Sequence, residues 1–272
     1  MSRVIYIVAT PLGNMGDITH RAKDVLSSAD MILAEHPDHT RHLLRALDIN
    51  VPKIKSYHKH NEKRLCEWLL AQEWSEIALV SDAGTPNIHD PGLYLLEMAY
   101  EMGYKIVPVP GPSALTAALS VVDKAEQAHM FVGFLPQTSA QKLRVIKQIE
   151  DLQMALVFYE APHRICKTVD YLLTCLGDRQ AWLCRELTKK YEQVVKSTLG
   201  GLKQALAEGA IPVKGEFVLV VAGAKKVKTD DYWQPVARDL SQHMSHKMVA
   251  EFVSQHFDCR KNEVYAFLLR AD

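Results

Sequence analysis

Ala78-Leu79-Val80-Ser81-Asp82-Ala83-Gly84-Thr85-Pro86-Asn87-Ile88-His89-Asp90-Pro91-Gly92 opens as an apolar run and stops abruptly at a Ser-Asp pair. It passes into a loop of small residues with glycine and proline, and a helical pattern follows at Leu93-Tyr94-Leu95-Leu96-Glu97-Met98. That is the signature of a buried strand delivering a polar loop at its carboxyl end, where open α/β sheets bind ligands. Val107-Pro108-Val109-Pro110-Gly111-Pro112-Ser113-Ala114 and Leu156-Val157-Phe158-Tyr159-Glu160-Ala161-Pro162-His163-Arg164 repeat the arrangement. Three strand ends therefore point to a site.

Outward from that run, the first half alternates apolar runs with helical patterns. Strands are expected at Val4–Thr10, Met31–Ala34, Lys53–Ser56, Ile77–Val80 and Lys105–Val109. Helices are expected at Ile18–Ser28, Asn61–Ala71 and Gly92–Met102, with Asp17 capping the first. Short strands separated by helices predict βαβ units and a largely parallel sheet. Ser113–Val122 reads as a helix that leaves this sheet, and the polar stretch Asp123–Ala128 as a boundary. Strands then follow at Phe131–Phe134, Ala155–Tyr159, Ala181–Arg185 and Phe217–Ala222, with helices at Ser139–Ile149, Arg164–Leu176 and near Leu202–Ala207. Lys225–Asp231 reads as a linker and Trp233–Asp272 as two or three short helices. The expected architecture is α/β, with one α/β domain over 1–120, a second over 121–226 and a small helical unit over 227–272.

The chain has 272 residues, enough to bury a substantial core, with 48% hydrophobic and 24% charged residues. That composition is ordinary for a soluble enzyme and argues against disorder. A net charge of zero argues against a general basic tether for nucleic acid, although a local patch can hide in a neutral total. Five scattered cysteines without CxxC spacing suit buried, inert thiols in a reducing compartment. No signal peptide or membrane-length apolar run is visible, so a soluble cytoplasmic protein is expected.

Known phosphate cradles are missing, since neither GxGxxG after the first strand nor GxxxxGK[ST] occurs. Thr10-Pro11-Leu12-Gly13-Asn14-Met15-Gly16-Asp17 lies between the first strand and helix. It serves as a plain βα turn or as a close approach of backbone to ligand. His58 with His60, and His36, His39 and His42, invite a metal, but no cysteine pair or HExxH accompanies them, and no metal is expected. Glu160-Ala161-Pro162-His163-Arg164 gathers a carboxylate, an imidazole and a guanidinium after a strand, either as a capping loop with an ion pair or as functional groups. Arg185-Glu186-Leu187-Thr188-Lys189-Lys190-Tyr191-Glu192 is either a solvated charged face or a patch for phosphates and bases.

Taken in order, further segments carry a resemblance. They are Tyr6–Asn14, Asp17–Ala22, Leu79–Pro86, Asp90–Gly92, Val109–Ala114, Gly133–Pro136, Phe158–Arg164, Arg185–Lys189, Lys214–Val218 and Glu263–Tyr265. Together they closely resemble the class III, tetrapyrrole methylase-like methyltransferases, in the branch that acts on small-subunit ribosomal RNA. The resemblance implies two α/β domains with S-adenosylmethionine in the cleft between them, and a homodimer. It also implies 2′-O-methylation of a decoding-centre cytidine of 16S rRNA.

On that resemblance the cofactor falls on Leu12, Asp82, Thr85, Ser113, Ala114 and Tyr159, with backbone near Leu183 and Val218. Asp82 suits the role, since a carboxylate at a strand end can accept from a hydroxyl or a cationic amine. Glu35, Glu160, His163 and Glu186 are the candidates for a base or orienting group. Arg21, Arg164, Arg185, Lys189 and Lys190 are the candidates for phosphate contacts. Two alternatives remain: a methylase acting on a small tetrapyrrole-type molecule, and a cofactor-binding protein without methylation activity. The sequence departs from the family where Ala-Glu-Asp-Thr-Arg-His-Thr is usual and Ala34-Glu35-His36-Pro37-Asp38-His39-Thr40 stands instead. It departs again at Asp123-Lys124-Ala125-Glu126.

Overall fold

The computed structural model describes residues 3–50, 52–70, 72, 74–123, 128–225 and 232–271. Five parallel strands form the first sheet: β1 (Val4–Val8), β2 (Met31–Ala34), β3 (Lys53–Ser56), β4 (Glu76–Val80) and β5 (Lys105–Val109), in the order β3-β2-β4-β1-β5. Alternate residues face opposite layers, as a period of two requires. Ile5, Leu33 and Leu79 join Tyr57 and Leu95 on one face. Val8, Ile32 and Val80 join Ala22, Leu26 and Leu44 on the other.

Helices connect these strands: α1 (His20–Ser28), α2 (Pro37–Ala46), α3 (Glu62–Leu70) and α4 (Leu93–Glu101). The cap of α1 is Thr19, whose hydroxyl accepts from the Ala22 amide at 3.1 Å, and not Asp17, which sits in a preceding 3-10 turn. Helix α2 escaped the sequence reading because its few apolar residues are scattered among charges. Pro37 at its start presets the helical φ, and Thr40 and Leu44, one turn apart, are its buried residues. From β1 the chain runs to β2 on one side, and from β4 to β5 on the other. The gap above neighbouring β1 and β4 is therefore a topological switch point.

The second sheet holds β6 (His129–Phe134), β7 (Ala155–Glu160), β8 (Gln180–Arg185), β9 (Gln193–Thr198) and β10 (Phe217–Val221), in the order β6-β7-β10-β8-β9. Only the β6–β7 pair is parallel. Helices α6 (Ser139–Ile149), α7 (Ile165–Leu176) and α8 (Leu199–Ala207) belong to this half, where Ile165, Val169 and Leu202 bury one face of the sheet with Phe158, Leu183 and Leu219. The other face is covered by α5 (Ala114–Ser120), which follows β5 of the first sheet yet packs its Ala118 with Val157, Trp182 and Val220. Strand β9, half-buried and interrupted by charges, is the one strand the periodicity missed.

Both sheets lie in one compact unit, Met1–Ala224, and Lys225–Asp272 forms a second. The expected boundary stretch and linker fall largely outside the described residues, at 124–127 and 226–231. In the second unit α9 (Gln234–Ser241), α10 (His246–His256) and α11 (Lys261–Ala271) pack Trp233, Ala237, Val249, Val253, Val264 and Leu268 into a small core. Among the described residues no helix is long and apolar enough to cross a membrane. The cysteines are all unpaired, but only Cys66 and Cys184 are buried, while Cys166 is exposed against the expectation of inert thiols.

Candidate active site

The loops after β1 and β4 are tied together at the switch point. Thr10 and Gly84 exchange backbone hydrogen bonds of 2.9 Å, and the Thr10 hydroxyl donates to the Ser81 carbonyl at 3.1 Å. Gly84 sits at φ +82°, where a side chain is strained, and an added Cβ would lie 3.3 Å from Leu12 Cδ2. The Thr85 hydroxyl donates to the Pro112 carbonyl at 3.0 Å, joining the loop after β5.

Between these loops and the second sheet lies a cavity of about 420 Å³. Leu12, Gly84, Thr85, Ser113 and Ala114 line it from the first sheet's side, and Tyr159, Leu187 and Val218 from the second. Cys184 adds apolar wall and no nucleophile, since burial pushes its thiol up to about 12. His89 bridges the two halves. Its Nε2 accepts from the Phe134 amide at 3.2 Å, and its ring lies edge-on to Phe134, 4.9 Å between centroids. Gly133, at φ +73° in a bulge of β6, makes that approach possible, because a Cβ there would run into the His89 ring. Phe131 and Phe134 stack edge-on against Tyr159 at 4.8 and 5.8 Å.

The charged groups on the cavity wall are acidic: Asp90, Glu160 and Glu216, with no Lys or Arg among the lining residues. Apolar walls, a glycine-floored loop and a carboxylate excess suit S-adenosylmethionine, a nucleoside whose sulfonium and ammonium outweigh its one carboxylate. Asp90, which the sequence reading passed over, has its carboxyl raised above the ordinary 3.8, chiefly by burial. The Ser81 hydroxyl and His89 oppose that rise and Asp82 adds to it. Its position two residues before Gly92, in the polar loop that follows β4, was the available signal.

The candidate bases separate clearly. Glu160 is buried with both oxygens engaged: Oε1 accepts from the Ala161 amide at 2.9 Å and pairs with Arg164 Nε at 3.2 Å, and Oε2 accepts from the Thr168 hydroxyl at 2.6 Å. It holds the loop onto α7, and these three donors take up most of its acceptor capacity. Burial works to raise Glu186, but the Glu216 amide and Lys189 ammonium outweigh it and hold the carboxyl below its ordinary value. His163 is exposed and off the cavity wall. Glu35, just past β2, is half-buried and raised, by burial first and then by Asp90 and Asp82, but it does not line the cavity.

The cations separate as well. Arg185 is buried, with Nε donating to the Lys214 carbonyl at 2.7 Å and Nη1 to the Tyr191 carbonyl at 3.1 Å, so it closes a turn and is not offered to phosphate. Arg164 is held by Glu160 and the Leu135 carbonyl. Lys189 bridges Glu186 and Glu216 at 3.1 and 2.9 Å. Arg21 and Lys190 are exposed.

Asp82 turns away from the cavity. It lines a second hollow of about 320 Å³ with Pro11, Gly13, Thr40, His42 and Ser81. There its Oδ2 meets Nδ1 of His36 at 2.6 Å and of His39 at 3.3 Å. Spacing along the chain could not bring Asp82 to these histidines; the pairing of β2 with β4 does.

Residues 4–203 match the family described as Tetrapyrrole (Corrin/Porphyrin) Methylases. Ribosomal RNA small subunit methyltransferase I of Halalkalibacterium halodurans is 40% identical over 256 residues, covering 92% of this chain and 86% of that protein. The protein of the same name from Escherichia coli O157:H7 is 39% identical over 271 residues, covering 97% and 94%. Among solved structures, uroporphyrin-III C-methyl transferase from Thermus thermophilus, complexed with S-adenyl homocysteine, shares the fold with a TM-score of 0.56 at 18% identity, covering 81% of this chain and 97% of its own. The chain thus belongs to the tetrapyrrole methylase family of S-adenosylmethionine-dependent methyltransferases and, within it, to the ribosomal RNA small subunit methyltransferase I group.

Proposed function

We propose that the protein methylates the 2′-oxygen of a cytidine ribose in the decoding centre of 16S rRNA, working as a homodimer with S-adenosylmethionine in the large cavity. The names of relatives that match nearly the whole chain support an rRNA substrate. The observation that carries the chemistry is Asp90, a carboxyl on the cavity wall made more basic than usual, first by burial. When bound, the cofactor supplies an electrophilic methyl group on its sulfonium. A ribose hydroxyl is a poor nucleophile until its proton leaves, and Asp90 accepts that proton as the oxygen attacks. Leu12, Tyr159, Leu187 and Val218 keep the reacting atoms away from bulk water.

Glu160 and Arg164 hold the Ala161–His163 loop in place. Arg21 and Lys190 contact phosphates, because they are the exposed cations of the set, Lys190 lying over the Tyr191 ring 5.6 Å from its centroid. Leu93 and Tyr100 on α4, with Ile88 and Met102 near its ends, are exposed large hydrophobics that suit a face buried between two copies.

The test uses small ribosomal subunits lacking this modification, labelled cofactor and the full-length protein. The expected result is label on one ribose of the small-subunit RNA, resistant to alkaline cleavage at that position. Label on a base would overturn the 2′-oxygen assignment. Tight cofactor binding by calorimetry with no incorporation would point instead to a binding protein without methylation activity.

A further inference from the structure

We propose that His36, His39 and Asp82 form a binding site for one divalent transition-metal ion of the zinc type. Among the described residues they are the trio of histidine, cysteine and carboxylate side chains that converges, with one ligand atom from each lying within 4.8 Å of the others. The scaffold is ordered. His36 caps α2, Pro37 fixes the first helical residue, and His39 follows one turn on, so both imidazoles leave the same end of one helix. Asp82 follows the end of β4, whose Val80 pairs with Ala34 of β2, two residues before His36.

Tetrahedral zinc with bonds of about 2.0–2.2 Å needs donor atoms roughly 3.3–3.5 Å apart. His39 Nδ1 and Asp82 Oδ2 already stand at 3.3 Å. His36 Nδ1, now hydrogen-bonded to the same oxygen at 2.6 Å, reaches that spacing by a small rotation of an exposed side chain. Two imidazoles and one carboxylate are borderline donors that suit zinc better than magnesium or calcium, which prefer all-oxygen shells. The fourth position opens onto the hollow lined by Ser81, Thr40 and His42 and takes water or an oxygen donor. Three protein ligands with one open position is the arrangement of reactive rather than purely structural zinc sites. Two of the ligands occupy positions where the resemblance places no departure; His36 stands where the family usually has Asp.

The test needs no methylation assay. Full-length protein is stripped with a chelator, freed of it, and titrated with zinc against a chromogenic competitor, then with cobalt to read coordination from the visible spectrum. One equivalent is expected to bind with a dissociation constant in the micromolar range or tighter, and cobalt to give the intense bands of a four-coordinate site. His36→Ala and Asp82→Asn should each weaken zinc by about 30-fold or more, whereas His60→Ala leaves it unchanged. His36 is exposed, so its variant is expected to melt like the parent. Zinc no tighter than about 100 µM, six-coordinate cobalt spectra, or equal affinity in His36→Ala would each overturn the site.

Discussion

The two hollows at the carboxyl end of the first sheet share one loop and differ in chemistry. Ala83, Gly84 and Thr85 face the large cavity, while Ser81 and Asp82 face the small one. The large cavity draws its walls from both sheets and combines apolar surface with acids. The small one is built from the first sheet's loops and α2, and collects imidazoles. Past the end of β4 the loop passes from one hollow to the other between Asp82 and Ala83, so a single step in sequence changes the partner set completely. The segments that line the large cavity keep the family's pattern, and the departure His36-Pro37-Asp38 falls on the other side.

The strongest way to break the assignment of chemistry to the large cavity is Asp90→Asn. Turnover should fall about 10²- to 10⁴-fold, as for loss of a general base, with cofactor affinity changed far less. The pH profile adds a sign. Wild-type turnover should rise with pH through a value above the ordinary 3.8, and the Asn variant should lose that limb. Stability runs the opposite way. The folded carboxyl is raised, so the stability it contributes when protonated is complete below the unfolded value of about 3.9 and is lost as pH rises through the folded one. Asp90→Asn should therefore gain on wild type in urea melts at pH 7 relative to pH 4. An equal gap at both values would mean that Asp90 is not raised.

Glu160→Ala tests the wall and not the chemistry. Removing the buried carboxylate leaves the Ala161 amide and the Thr168 hydroxyl without their acceptor and costs Arg164 its ion pair, and unfolding free energy should drop by about 3–5 kcal/mol. A loss below about 1 kcal/mol would show that water reaches the carboxylate. Gly84→Val is smaller in stability, about 1–3 kcal/mol for a branched residue at positive φ. Its sharper readout is cofactor affinity, expected to fall about tenfold or more by calorimetry while zinc binding in the small hollow stays unchanged.

Much of this was legible in the sequence where short apolar runs alternate with helical patterns. β2, β3 and β5 run as expected, β4 begins one residue earlier, and the three loop-bearing strand ends converge on one cavity. α2 and β9 were not legible, because their amphipathic stripes are short and interrupted by charge, so tertiary packing decides them. The side-chain roles were the least legible. Arg185 reads as a surface cation, but it is the last residue of β8, and the carbonyls that bury it come from Tyr191 in the next turn and from Lys214, which is far along the chain. Asp82 and Asp90 look alike in one polar loop, and only the path of that loop beyond β4 sends them to different hollows.

Asp82→Asn is the smallest expected effect and the most discriminating. On the resemblance alone Asp82 is the polar anchor of the cofactor, and its loss should weaken binding by well over tenfold, the scale of a charge-assisted hydrogen bond. With its Oδ2 turned to His36 and His39 instead, cofactor affinity should change by no more than about threefold. Any residual change travels through the Ser81 carbonyl that Thr10 uses to join the two loops. The comparison then becomes a double readout on one protein: calorimetry with the cofactor and titration with zinc. Loss of zinc with the cofactor retained keeps the two hollows separate. Loss of the cofactor with zinc retained would put Asp82 back on the large cavity and merge them.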